Sequence, residues 1–112
     1  MNGHTLYRSE RLKDKNEFKA LFQRGVRVKG KFLSIQVLKR NGVERKVAFI
    51  ASKKVGNAVK RNRAKRLMRE MYRCIRHDFP EKVDLAFIAD RKILSCDIHE
   101  LKDDMLRLAA QC

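Results

Sequence analysis

The chain has 112 residues, 44% of them hydrophobic, and sets 28 Lys and Arg against 13 Asp and Glu, a formal charge of +15 at neutral pH. That length carries one core, in a single domain over residues 1–112, and a charge of this size repels itself until a polyanion neutralises it, so nucleic acid is the first partner to consider. No run approaches the roughly 20 apolar residues of a membrane span, Met1 to Thr5 has no hydrophobic signal region, and the widely spaced Cys74, Cys96 and Cys112 suit free thiols in a reducing compartment. A cytoplasmic protein without membrane contact is expected.

Asp14 followed by Glu17 has the spacing of a capping box, and Gly25 stands where a helix would stop, which predicts a first helix over Lys15–Arg24. Phe18, Leu21 and Phe22 share one face of it, with the two rings a turn apart. From Val26 to Ser52 the period changes to two. Residues 32–38 and 46–52 read as strands joined through Asn41-Gly42, which suits a hairpin turn, and are expected to form an antiparallel pair. In the second stretch Val47, Phe49 and Ala51 make a bulky face, while Ala48, Ile50 and Ser52 make a partly small one that could admit a ligand. Asn57 is the expected N-cap of a long helix running to about residue 78, with Phe79-Pro80 as its stop. Residues 83–90 read as another strand. Asp97 and Glu100 then cap a last helix with Ile98, Leu101, Met105 and Leu108 on one face.

Between Lys53 and Arg76 lie ten basic residues and one acid, Glu70, so most of the excess charge sits in under a quarter of the chain. At about 100° per residue, Ala64, Leu67, Met68, Met71, Cys74 and Ile75 gather on one arc, and Lys65, Arg66, Arg69, Arg73 and Arg76 on the other. A solubilising face mixes signs through i, i+4 pairs; this one repels itself along its length, as a phosphate-binding stripe does. Charge alone does not separate DNA from RNA.

The run from Lys53 through Lys60-Arg61-Asn62-Arg63-Ala64-Lys65-Arg66 to Glu70 resembles the RNR signature of the bacterial ribonuclease P protein family. The spacing of Asn16-Glu17-Phe18 and Phe22, the strands before the signature and the Arg91-Lys92 pair extend that resemblance over nearly the whole chain. The resemblance implies an α/β (α+β) sandwich in the order α-β-β-β-α-β-α. It also implies a four-stranded sheet with a left-handed βαβ crossover through the basic helix, as in the second domain of a small-subunit ribosomal protein. It implies a non-catalytic subunit of an endoribonuclease that removes the 5′ leader of precursor tRNA, with the cleavage carried by ribonuclease P RNA and its Mg2+ ions and no obligate protein partner. Lys60, Arg61, Asn62, Arg63, Lys65, Arg66 and Arg69 match the family's RNA-subunit-binding region; Phe18, Phe22, Lys53, Lys54, Arg91 and Lys92 are assigned to a cleft for the single-stranded leader. Some relatives carry a Tyr on the strand lining that cleft, where this chain aligns Ile35.

Other chemistry is less well served. Asp103-Asp104 is the only acidic doublet, its side chains diverge by about 100° on a helix, and it is expected to be solvated surface. Cys74 with His77 and Cys96 with His99 could supply four zinc ligands, but not at finger spacing. A structural RNA-binding protein such as a ribosomal component fits the composition equally well; the signature and the aromatic pair separate the two.

Overall fold

The computed structural model describes residues 11–40 and 45–112. In chain order these form α1 (Lys15–Arg24), β1 (Val26–Lys29), β2 (Leu33–Lys39), β3 (Lys46–Ile50), α2 (Ala58–Ile75), β4 (Val83–Ala89) and α3 (Ile98–Ala109), with short 3-10 turns at Arg76–Asp78 and Ile93–Ser95. Local chemistry explains most of the boundaries. The Asp14 carboxylate accepts the Asn16 N–H at 2.7 Å and the Glu17 N–H at 3.4 Å, satisfying donors that an α-helix leaves free at its start. The reciprocal half of the expected capping box is not formed, because the Glu17 carboxylate is drawn to the cations of Arg40 and Lys46 instead. Ionised partners outbid a backbone N–H. Asp97 and Glu100 do complete a reciprocal box at the start of α3.

Gly25 ends α1 with extended backbone (φ −78°, ψ 171°), so close approach explains the glycine: an added Cβ would run into the Leu21 carbonyl oxygen and lie 2.7 Å from that of Val37.

The sheet has the order β1-β2-β4-β3. β2 is antiparallel to both β1 and β4, and β3 is parallel to β4. The antiparallel pairing expected between residues 32–38 and 46–52 therefore does not form: β4 lies between those strands, and among the described residues the hairpin is the one that joins β1 to β2. Asn41-Gly42 lies outside the described residues. The physical reason is burial. β4 is buried on both faces, with six of its seven residues buried and all but Asp84 apolar, and only a central strand covers both faces at once.

Leu33, Ile35 and Val37 of β2, Val47 of β3, and Leu85 and Phe87 of β4 point to one face, where α2 and α3 add Met68, Tyr72, Leu101, Met105 and Leu108 to a single core. α1 packs on the other face through Leu21, against Ala86. The buried arc of α2 is Ala64, Met68, Met71, Tyr72 and Ile75; Cys74, placed on that arc by its spacing, is exposed, because the arc is centred near Ile75 and extends to Tyr72 on the side away from Cys74. Phe49, Tyr72, Phe79 and Phe87 form a ring cluster with centroids 5.3 to 6.0 Å apart. The buried Arg45, just before β3, fastens the late part of the crossover that leads into β4: its Nε donates to the Tyr72 hydroxyl at 2.7 Å and its Nη1 to the carbonyls of Phe79 and Pro80, each at 2.9 Å.

Asp104 also departs from expectation. It is buried, accepts the backbone N–H groups of Lys31 at 3.0 Å and Phe32 at 2.9 Å, and pairs with Arg107, while Asp103 stays exposed. A charged acceptor thus ties the β1–β2 turn to α3. Asp104→Ala should cost about 2 kcal/mol of stability, since it strands buried donors, and Asp103→Ala less than about 0.5 kcal/mol; urea unfolding of the two variants checks the contrast.

Candidate nucleic-acid interface

Directly paired residues in neighbouring strands share a face, so the registers define rows across the sheet on the α1 side. One row is Arg27, Gln36, Ala86 and Ala48; the next is Lys29, Ser34, Ile88 and Ile50. The small Ala86 and Ala48 let α1 approach, and Leu21 seats there fully buried. The second row is not sealed: Ser34, Ile88 and Ile50 remain partly exposed and Lys29 exposed. Phe18 packs toward Ala48 and Ile50, whereas Phe22 is 39% exposed. Their rings lie nearly parallel, 6.5 Å apart at 5°, so the pair forms a wall with an open flank rather than core filling.

β3 and β4 are parallel neighbours, so the loops that follow them leave from the same end of the sheet. These loops carry Lys53, Lys54, Arg91 and Lys92, all exposed. The Ser52 hydroxyl accepts the Lys54 N–H at 3.3 Å and the Asp90 carboxylate accepts the Lys92 N–H at 2.9 Å, which fixes both turns. The four cations thus stand at the end of the sheet where the open row lies, and the aromatic pair is on the α1 face of that row. Ile35 is not: it is fully buried in the core on the opposite face, and Ser34 and Gln36 are the β2 residues turned toward α1. The position aligned with the relatives' Tyr therefore faces the core in this chain, because alternation along β2 turns it away from α1.

The basic helix serves two surfaces rather than one. Asn57 caps it by accepting the Lys60 N–H at 3.0 Å, and the preceding Gly56 has φ +143°, a backbone that glycine adopts without strain. Lys60, Asn62, Arg63 and Arg66 are exposed, with Arg61 partly so. Lys65 and Arg69 turn instead toward the β3 edge, where they line an open recess of about 340 Å³ with Arg11, Lys13, Phe18 and Phe49. Arg11 and Lys13 were not singled out by sequence; what brings them in is the chain before α1, which bridges to β3 at Val47, with the Leu12 N–H donating to the Val47 carbonyl at 2.9 Å. Arg69 lies 5.7 Å from the Phe49 ring centroid. Burial first, then repulsion from Arg11 and Arg73, pulls its pKa down, and its Nε is buried with no hydrogen-bond partner among the described residues.

Among the described residues no group of three or more His, Cys, Asp or Glu could hold a metal ion, so the two Cys/His pairs do not converge on one site. No described helix is long and apolar enough to cross a membrane.

The orientation of α1, and hence of its aromatic wall, depends on Arg40. Its Nη1 bridges Glu17 of α1 and the buried Asp84 of β4, 2.8 Å away, while Lys46 Nζ reaches Glu17 at 3.1 Å. The hydrogen bond from Arg40, with help from Lys46 and against the cost of burial, holds the Glu17 carboxyl below its ordinary value of 4.5.

The family model described as Ribonuclease P matches residues 6–112. The chain is 39% identical to the ribonuclease P protein component of Petrotoga mobilis over 96% of its own length and 95% of that protein's. It is 33% identical to that of Thermoanaerobacter sp. strain X514 over 88% of its length and 84% of the relative's. In structure it is similar to the ribonuclease P protein from Thermotoga maritima, with a TM-score of 0.81 at 21% identity, covering 92% of this chain and 97% of that one. For the Staphylococcus aureus ribonuclease P protein the TM-score is 0.76 at 21% identity, covering 88% and 91%. The fold is shared with both.

A carboxylate whose pKa is lower folded than unfolded adds stability above the unfolded value, near 4.5 for Glu17, and that stability is lost as the pH falls through the folded value. Arg40→Ala should therefore destabilise the protein at neutral pH and much less in strong acid. Thermal unfolding of both forms across that range tests the linkage, which an equal loss at every pH would contradict.

Proposed function

The chain belongs to the ribonuclease P protein family, subunits of an endoribonuclease complex, and on that footing we propose that it assists removal of the 5′ leader from precursor tRNA by holding two RNA elements at once. The outward face of α2, through Lys60, Arg61, Asn62, Arg63 and Arg66, takes the RNA subunit. The partly open row of the sheet, walled by Phe18 and Phe22 and headed by Lys53, Lys54, Arg91 and Lys92, takes the single-stranded leader. Lys65 and Arg69 stand at the junction, on the basic helix but facing the recess beside Phe18.

The observation that carries this reading is the stacked, half-open aromatic pair beside an unsealed sheet face in a chain of charge +15. Rings that filled the core would be buried. Rings presented beside cations suit unpaired bases, because every base has a face to stack and each such contact contributes about 1 to 3 kcal/mol. Magnesium, held in this reading by the RNA subunit and substrate, supplies an activated water and charge neutralisation at the scissile phosphate. The protein's own residues bind and orient RNA: guanidinium and ammonium groups neutralise phosphates, and the cleft fixes the direction in which the leader departs.

Reconstituted with a bacterial ribonuclease P RNA, the protein should lower the magnesium requirement for leader removal, and by itself it should cleave nothing. Phe22→Ala should weaken holoenzyme binding of precursor tRNA by about 1 to 3 kcal/mol with mature tRNA nearly unaffected; an equal loss for both tRNAs would contradict the leader role. Arg61→Ala with Arg63→Ala should weaken assembly with the RNA subunit and reduce the log–log salt slope by roughly 0.7 to 0.9 per lost phosphate contact, as measured by titration at several salt concentrations.

A further inference from the structure

The open row does not stop at the residues so far assigned to it. It runs on across β2 to β1, the edge strand, about 14 Å from β3 at the usual strand spacing. There Arg27 and Lys29 are exposed and turned to the same face as Gln36 and Ser34, their partners on β2. Gln36 is 5% exposed and both ends of its amide are committed: its Nε2 donates to the Leu21 carbonyl at 3.2 Å and its Oε1 accepts Arg27 Nε at 3.0 Å. The first bond fixes which end of the amide is which, so the acceptor must face Arg27. The guanidinium is thereby tied to the last turn of α1, which also carries Phe22. Its two terminal nitrogens have no protein partner among the described residues, and no acid there pairs with it. An arginine immobilised through Nε, with its planar end open, is built to receive an oxyanion.

We propose that Arg27, oriented by Gln36 and flanked by Lys29, binds a backbone phosphate of the RNA single strand where that strand leaves the sheet across β1. This rests on the reading of the open row as the leader cleft and adds its far end. The strand would enter between the basic loops and Phe18, pass Phe22 over the row of Ile50, Ile88 and Ser34, and reach Arg27. Arg27 is then a binding residue, and Gln36 a positioning residue that acts through it.

Leader length separates this from a general attraction between cations and RNA. Holoenzyme reconstituted with each variant is titrated with precursors whose leaders lengthen one nucleotide at a time, and with mature tRNA. Arg27→Ala should leave mature tRNA and short leaders unchanged and weaken binding about tenfold once the leader is long enough to reach β1, with the salt slope falling by roughly 0.7 for those leaders only. Arg27→Lys, which keeps the charge but loses the bond to Gln36, should recover only part of that loss. Gln36→Met should reproduce it for long leaders and add nothing to Arg27→Ala; an additive loss would show that Gln36 does not act through Arg27. Position 27 is exposed, so its two variants remain informative if Gln36→Met does not fold. Phe22→Ala in parallel tells the two levels apart. A leader-dependent loss for Phe22→Ala with none for Arg27→Ala overturns the inference and leaves the cleft reading standing, while no leader dependence for either variant overturns both. Loss of mature tRNA binding in Arg27→Ala would assign this residue to another interface and also overturn the inference.

Discussion

The insertion of β4 between β2 and β3 is the constraint on which the other features depend. A strand buried on both faces must be covered on both, so the chain needs a helix on each side of it, and the parallel β3–β4 pairing obliges the connection between them to travel the length of the sheet. That connection is α2. Its apolar arc closes the core with α3, which leaves the other face to the short α1 alone. Ten residues of helix do not cover a four-stranded sheet, and the row left over is the surface proposed for the leader. The same pairing brings the loops after β3 and β4 to one end, so cations nearly forty residues apart in the chain, Lys53 and Arg91, stand at the same end of the sheet. Arg45 fastens this arrangement from within by joining the start of β3 to the chain just before β4.

What was legible in the sequence, and what was not, follows from the range of the interactions. Helix ends are local: Asp14, Asn57 and Asp97 each cap the helix that their spacing indicated, and the long basic helix stops at the turn before Phe79-Pro80. Strand partners are not local. Residues 32–38 and 46–52 alternate convincingly enough, but nothing within them says that a segment some forty residues on will come between them. Faces are legible only to within one residue. Cys74 and Tyr72 are two positions apart on α2, and taking the first for the arc and missing the second rotated the inferred core; the face of Ile35 is not fixed by matching it to a Tyr of relatives, and the parity of the strand turns it to the core. Asp104 reads as surface because its partners, the Lys31 and Phe32 backbones, are more than seventy residues away.

The charge pattern has an energetic cost that the fold distributes unevenly. Lys65, Arg69, Arg11 and Lys13 crowd the recess beside Phe18, and Arg69 is disfavoured in its charged form by burial and by like neighbours. Its packing on Phe49 offsets part of that, but no acid among the described residues forms an ion pair with the cluster. Acids are spent elsewhere: Glu17 and Asp84 on the clamp that sets α1, Asp104 on the β1–β2 turn. Those acidic groups hold α1 and the β1–β2 turn in place, and in the proposed reading bound RNA supplies the neutralisation. Sites organised for binding are commonly less stable than the scaffold that supports them.

The central claim, that the leader lies on the partly open sheet row while the outward face of α2 meets the RNA subunit, is tested most directly by photo-crosslinking. Precursor tRNA carrying a photoreactive uridine in its leader, bound to the reconstituted holoenzyme and irradiated, is predicted to crosslink to Phe18, Phe22, Ser34 or Ile88. Crosslinks confined to Arg61, Asn62, Arg63 and Arg66 would contradict it.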